Sequence, residues 1–181
     1  MRDARGFTLI ELLIVVTILG VLLSLAVASY RHARIRGSET SAIASLTAIN
    51  QAQYSYMVTC GNQRFAPHLS SLGKPNPGTQ APYLSPDLTS AAGSDGEVSK
   101  SGYVIRMAGT EVTEPAQTCT GETPIVSYQT TADPLNPGTT GLRFFGTNVS
   151  LVVYEDLETF NGKMPELGPP SMGQEVKGTV K

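Results

Sequence analysis

Apolar residues are distributed along this chain in three regimes. From Phe7 to Ala28 they run almost unbroken, FTLIELLIVVTILGVLLSLAVA, over 22 residues. As a helix this stretch is about 33 Å long, enough to cross a bilayer core of about 30 Å. From residue 29 to 58 there is no proline and only one glycine, Gly37. Here Ile35, Ala42, Leu46, Ile49 and Met57, with Ile43 and Tyr56 beside them, recur at three to four residues or sums of these. That period predicts a single apolar stripe on an otherwise polar helix, facing a domain packed against it. Cys60-Gly61-Asn62 supplies the stop, so one helix over 7–58, about 78 Å long, is expected.

The third regime is short apolar runs between turns. Lys74-Pro75-Asn76-Pro77-Gly78 and residues 91–96 mark turns, with Leu69–Leu72 and Tyr83–Leu88 as short helical turns around them. Strands are predicted at Tyr103–Met107, Ile125–Thr131, Leu142–Phe145 and Ser150–Tyr154, with Gly146-Thr147-Asn148 as the turn of the last hairpin. Four short strands laid on an amphipathic half-helix make an α+β fold with a small antiparallel sheet. The expected divisions are a leader at 1–6, a long helix at 7–58 (7–28 embedded), a head at 59–160 and a flexible tail at 161–181.

Two residues disturb the picture of a plain anchor. Gly6 stands directly before the apolar run, behind the charged leader MRDARG, and Glu11 is the only charged residue inside the run. A secretory signal has a shorter apolar core, with its small-residue cleavage site on the far side. Cutting after Gly6 would instead keep the helix and leave Phe7 with a free amine. An ionised carboxylate at the centre of a membrane helix costs about 2.5–3.5 kcal/mol, and such residues usually have a partner or a function. Glu11 lies one turn, about 6 Å, in from Phe7, also shallow enough to reach the interface by bending outward.

The segment Gly6-Phe7-Thr8-Leu9-Ile10-Glu11-Leu12-Leu13-Ile14-Val15-Val16 closely resembles the type IV pilin and type II secretion pseudopilin family. The resemblance covers about thirty-five residues of leader and helix; a weaker one covers Ala132-Asp133-Pro134 to Phe145. It implies cleavage between Gly6 and Phe7 by a prepilin peptidase, methylation of the Phe7 amine by the same enzyme, and pairing of Glu11 with the Phe7 ammonium of a neighbouring copy. Partners implied are further copies of the chain and an inner-membrane assembly platform with its ATPase. The resemblance also implies a leader on the cytoplasmic side. Charge alone leans the other way, with Arg2 and Arg5 before the span and Arg31, Arg34 and Arg36 after it. Many members carry a proline near Ala28; this chain has Val27-Ala28-Ser29, so a kink or unwinding near Gly20 loses its usual cause.

Composition narrows the remaining choices. Charged residues are only 15%, and 18 Gly with 12 Pro predict a loop-rich head. From residue 37 onward there are 8 Lys and Arg against 13 Asp and Glu, a balance of −5 that disfavours general nucleic-acid binding. The two cysteines, Cys60 and Cys119, fit an oxidising compartment if paired, which would tie the helix end to the loop between the first two predicted strands. Free thiols and bridges between subunits are the alternatives.

Chemistry is sparse. His32 and His68 are the only histidines and lie far from any zinc spacing. No phosphate-binding glycine loop and no nucleophile with its base are present, so no catalytic residues and no cofactor are expected. Asp95-Gly96-Glu97 offers two carboxylates where calcium takes six to eight oxygens, and reads as a polar turn. The secretion family's aromatic-containing version of the Asp-Pro motif is replaced by Asp133-Pro134-Leu135-Asn136, which tilts the reading toward a pilus. The expectation is therefore a filament-forming structural subunit, held in the bacterial inner membrane and then assembled to the cell surface. A periplasmic pseudopilus piston of type II secretion and a minor tip pilin for adhesion or DNA uptake are the competing readings.

Overall fold

The structure, a computed structural model, describes residues 7–90, 96–112 and 118–177. Helix α1 runs from Leu9 to Thr59 without interruption, through Gly20 and the Val27–Ser29 stretch where a proline would have kinked it. Thr8 caps its first turn and the Cys60 N–H closes its last by donating to the Tyr56 carbonyl at 2.9 Å. A 3-10 turn, Leu69–Gly73, and a single helical turn α2, Pro86–Thr89, follow near the positions the sequence predicts.

Six strands then form one antiparallel meander: β1 Val98–Lys100, β2 Tyr103–Glu111, β3 Ile125–Pro134, β4 Phe144–Asn148, β5 Val153–Asp156 and β6 Gln174–Glu175. They lie side by side in chain order. The register sets Arg106 opposite Thr131, Ala132 opposite Phe145, and Gly146 opposite Tyr154. The α+β class is as expected, with β1 and β6 added at the two edges. One detail is corrected. Gly146-Thr147-Asn148 is not the hairpin turn but the end of β4; the chain turns at 149–152, where Leu151 donates to the Asn148 carbonyl at 2.9 Å. Glycine stands at 146 because a Cβ there would lie 2.9 Å from Met164 Sδ and 3.1 Å from Phe160 Cγ.

The core lies between the second half of α1 and the inner face of the sheet. Ala42, Leu46, Ile49, Ala52 and Tyr56 are buried against Leu72, Leu88, Tyr103, Ile105, Phe145 and Val153. Each large side chain buried in this way contributes roughly 1.5–3 kcal/mol. Ile35, Ile43 and Met57 of the expected stripe sit at its margin, only partly covered.

Residues 161–177, expected from the sequence as a flexible tail, lie against the sheet with defined contacts. This stretch begins a strap across the outer face of the sheet. Phe160 and Met164 are buried with Tyr154 in a second apolar cluster. Asn148 Nδ2 donates to the Pro165 and Gly168 carbonyls at 2.8 and 2.7 Å. Glu166 accepts from Thr110 N and Oγ1 and from the Ser127 hydroxyl. Low hydrophobicity made the stretch look loose, but a few well-placed anchors replace bulk.

Candidate functional site

The chain's most unusual surface is the first half of α1. Every described side chain from Phe7 to Leu23 is exposed, Phe7 and Leu9 by 81% and 83%. The head does not cover this stretch, which is long and apolar enough to cross a membrane. Its hydroxyls are consumed within the helix: Thr17 Oγ1 donates to the Ile14 carbonyl at 2.8 Å and Ser24 Oγ to that of Val21 at 2.7 Å. The surface therefore offers almost purely apolar contact, and such a patch marks a membrane or protein partner.

Glu11 is the exception, and its local geometry explains why it is tolerated at the helix start. Thr8 and Glu11 form a reciprocal capping box. Glu11 N donates to Thr8 Oγ1 at 3.3 Å, while Glu11 Oε2 accepts from Thr8 N at 3.4 Å and from Thr8 Oγ1 at 3.2 Å. An acid in the first turn also faces the positive end of the helix dipole. The box holds the carboxylate one residue from the Phe7 backbone nitrogen, and Oε1 has no partner among the described residues. Gly6, the other half of the expected cleavage position, lies outside the described residues.

At the other end of the helix, Cys60 and Cys119 are joined in a disulfide with Cα atoms 4.9 Å apart. Cys119 N donates to the Cys60 carbonyl at 3.1 Å. The bridge ties the helix end to the β2–β3 loop, as the sequence reading places it.

Three polar residues that the sequence reading passed over fasten the helix to the head. Glu39 is buried, 4% exposed, and accepts from Leu142 N at 2.9 Å and Arg143 N at 3.2 Å. Arg143 Nε and Nη2 also donate to it, at 3.0 and 2.7 Å. Burial works against the charged form, but these donors outweigh it and hold the Glu39 carboxyl below its ordinary value. Asn50 Nδ2 donates to Thr147 Oγ1 at 2.8 Å and Asn50 Oδ1 accepts from the buried Tyr128 hydroxyl at 3.0 Å. Gln53 exchanges two bonds with the Ala66 backbone, at 2.8 and 3.0 Å. Residues 39, 50 and 53 share the apolar face, so polar residues interrupting the stripe were the signal available.

The remaining candidates are structural. His32 and His68 are exposed. Asp95 lies outside the described residues, and Glu97 pairs with Arg106. Asp133 accepts from Arg106 Nη1 and Thr159 Oγ1, both at 3.0 Å; burial lifts its carboxyl above the ordinary value against their pull. No group of three or more His, Cys, Asp or Glu that could hold a metal occurs among the described residues.

Residues 1–27 match the model of the prokaryotic N-terminal methylation motif. Its N-terminal helix thus resembles that of the type IV pilin and pseudopilin family. Two fimbrial proteins of Pseudomonas aeruginosa are each 40% identical to it over 52 residues. The match takes in 29% of this chain and 34% of each relative, so the chain spans about a third of the length of these curated relatives. No solved structure matches it significantly. The resemblance to pilins thus resides in the capped, exposed helix.

Proposed function

We propose that the chain is the structural subunit of a type IV pilus-like filament. The observation that carries this reading is the uncovered apolar half of α1, with one capped carboxylate a single turn from Phe7. An apolar helix with no cover in its own chain needs lipid or other helices around it. In this reading the prepilin peptidase removes residues 1–6 and methylates the Phe7 amine. The chain then waits in the inner membrane, and the assembly platform with its ATPase draws it into a filament whose core is residues 7–28. Exchange of lipid for neighbouring helices keeps the apolar surface covered, and pairing of Glu11 with the Phe7 ammonium of a neighbour selects the register. The printed name of the relatives, fimbrial protein, supports a pilus over a secretion pseudopilus.

The test is Glu11→Ala. Membrane insertion is expected to persist while sheared filament yield collapses, and mass spectrometry of the unaltered filament band should read a methylated phenylalanine at its start. Normal yield from the variant, or an uncut leader in the exported chain, would remove the basis of the reading.

A further inference from the structure

The base of the head carries an open depression of about 470 Å³ lined by Arg143, Glu155, Asp156, Leu157, Gly173 and Gln174. It sits at the level of Glu39, because the same Arg143 guanidinium is paired with both Glu39 and Glu155. That cation is therefore already matched. Asp156 joins no ion pair among the described residues; its Oδ1 accepts only from Leu157 N and Glu158 N, at 2.6 and 3.3 Å. Glu155 and Asp156 thus line a depression whose one guanidinium is already shared between Glu155 and the buried Glu39, beside an apolar Leu157 that is 74% exposed.

The complementary charge is on α1. Arg31, Arg34 and Arg36 are exposed and enter no ion pair among the described residues. Carrying three arginines on the flank that crosses the membrane runs against the usual charge bias, which calls for a use on the far side. Two geometrical facts select the partner. Phe7 and Glu11 are four residues apart, about 6 Å of helix, so a copy raised by that amount to set its Phe7 beside Glu11 also brings its Arg34 level with Ser38, next to Glu39. Arg34 also lies two turns before Ser41 on the same helix flank. Ser41 Oγ donates to Ser101 Oγ at 2.9 Å in the β1–β2 turn, so this flank is the β1 side of the sheet. The depression is at the β5–β6 side. Copies repeating head to tail around an axis set one flank of each against the opposite flank of the next.

We propose that the depression beside β5 and β6 receives Arg34 of a second copy of this chain, raised by about four residues, so that this contact and the Phe7–Glu11 pairing share one register. The contact rests on the filament reading above and adds a head-to-helix ion pair to its core. Oxidised filaments of a chain with Arg34→Cys and Leu157→Cys should run as a ladder of multiples on a non-reducing gel. Arg34→Cys with Val58→Cys, about 36 Å further along the helix, should not. Arg34→Glu should lower filament yield roughly tenfold or more and Arg34→Lys should leave it within about twofold. Normal yield from Arg34→Glu with no ladder overturns the contact and leaves the filament reading standing; no filament from the unaltered chain overturns both. If Arg34→Glu weakens retention of the unassembled chain on anionic vesicles at unchanged filament yield, lipid headgroups hold the arginine and the proposal falls.

Discussion

Glu39 concentrates more of the head's attachment than any other single residue of the helix. Its carboxylate takes two backbone N–H groups and a two-pronged guanidinium while being almost wholly buried. Glu39→Gln keeps one oxygen for the two backbone N–H groups but turns an NH2 donor toward the Arg143 guanidinium, so it is expected to cost roughly 1–3 kcal/mol in chemical denaturation of the detergent-solubilised chain. Because its folded carboxyl sits below the unfolded value, the unfolded state binds the proton first as pH falls. The stabilisation is complete above the ordinary carboxylate range and drains away as pH drops through the folded value. Denaturation midpoints at a series of pH values should therefore fall on acidification below about pH 4.5, and the fall should be shallower in Glu39→Gln. Aliphatic periodicity located the buried face correctly at Ala42, Leu46 and Ile49, but its arithmetic counts only apolar residues. Glu39, Asn50 and Gln53 obey the same period and were invisible to it because their partners, Arg143, Thr147 and Ala66, are distant in sequence.

At the scale of elements, the long helix was legible because each of its signals is local. An unbroken apolar run opens it, prolines are absent from it, and Cys60-Gly61 ends it; the Thr8–Glu11 cap was equally local but went unread. The disulfide is the intrachain one of the three options the sequence left open, and it joins the helix end to the β2–β3 loop. In the chain-entropy model, closing a loop of this length is worth about 4 kcal/mol, so Cys119→Ser with Cys60→Ser should lower stability by an amount of that order. A thiol assay on the native chain should find no titratable thiol until reductant is added. The edges of the sheet were not legible. β6 is two polar residues, Gln174–Glu175, that become a strand only because β5 offers Tyr154 and Glu155 an unpaired edge. The β4–β5 turn was misread for a related reason: Gly146 normally signals a turn, but here it makes room for Phe160 and Met164.

Across the whole molecule, the chain divides into a helix half that lacks a core and a head whose core is capped on its outer side by a strap. That strap carries Met164, 4% exposed, against Phe160 and Tyr154. Met164→Ala should destabilise the head by roughly 2–5 kcal/mol, measured by denaturant titration, whereas a mobile tail would show almost no change. Composition pointed to disorder here because it averages over the segment. Glu166 and the two carbonyls held by Asn148 show that order can rest on a few directed bonds.

The two fastenings of the helix to the head, the carboxylate at 39 and the sulfur bridge at 60, stand at opposite ends of their contact, about 31 Å apart along the helix axis. A sheet pinned at one end would peel away one residue at a time under an axial pull. Pinned at both ends, it must slip as a unit, so every side chain between the pins resists at once. The covalent pin stands at the C-terminal end of the helix, and a reducing medium should let the sheet slip along the helix at lower force.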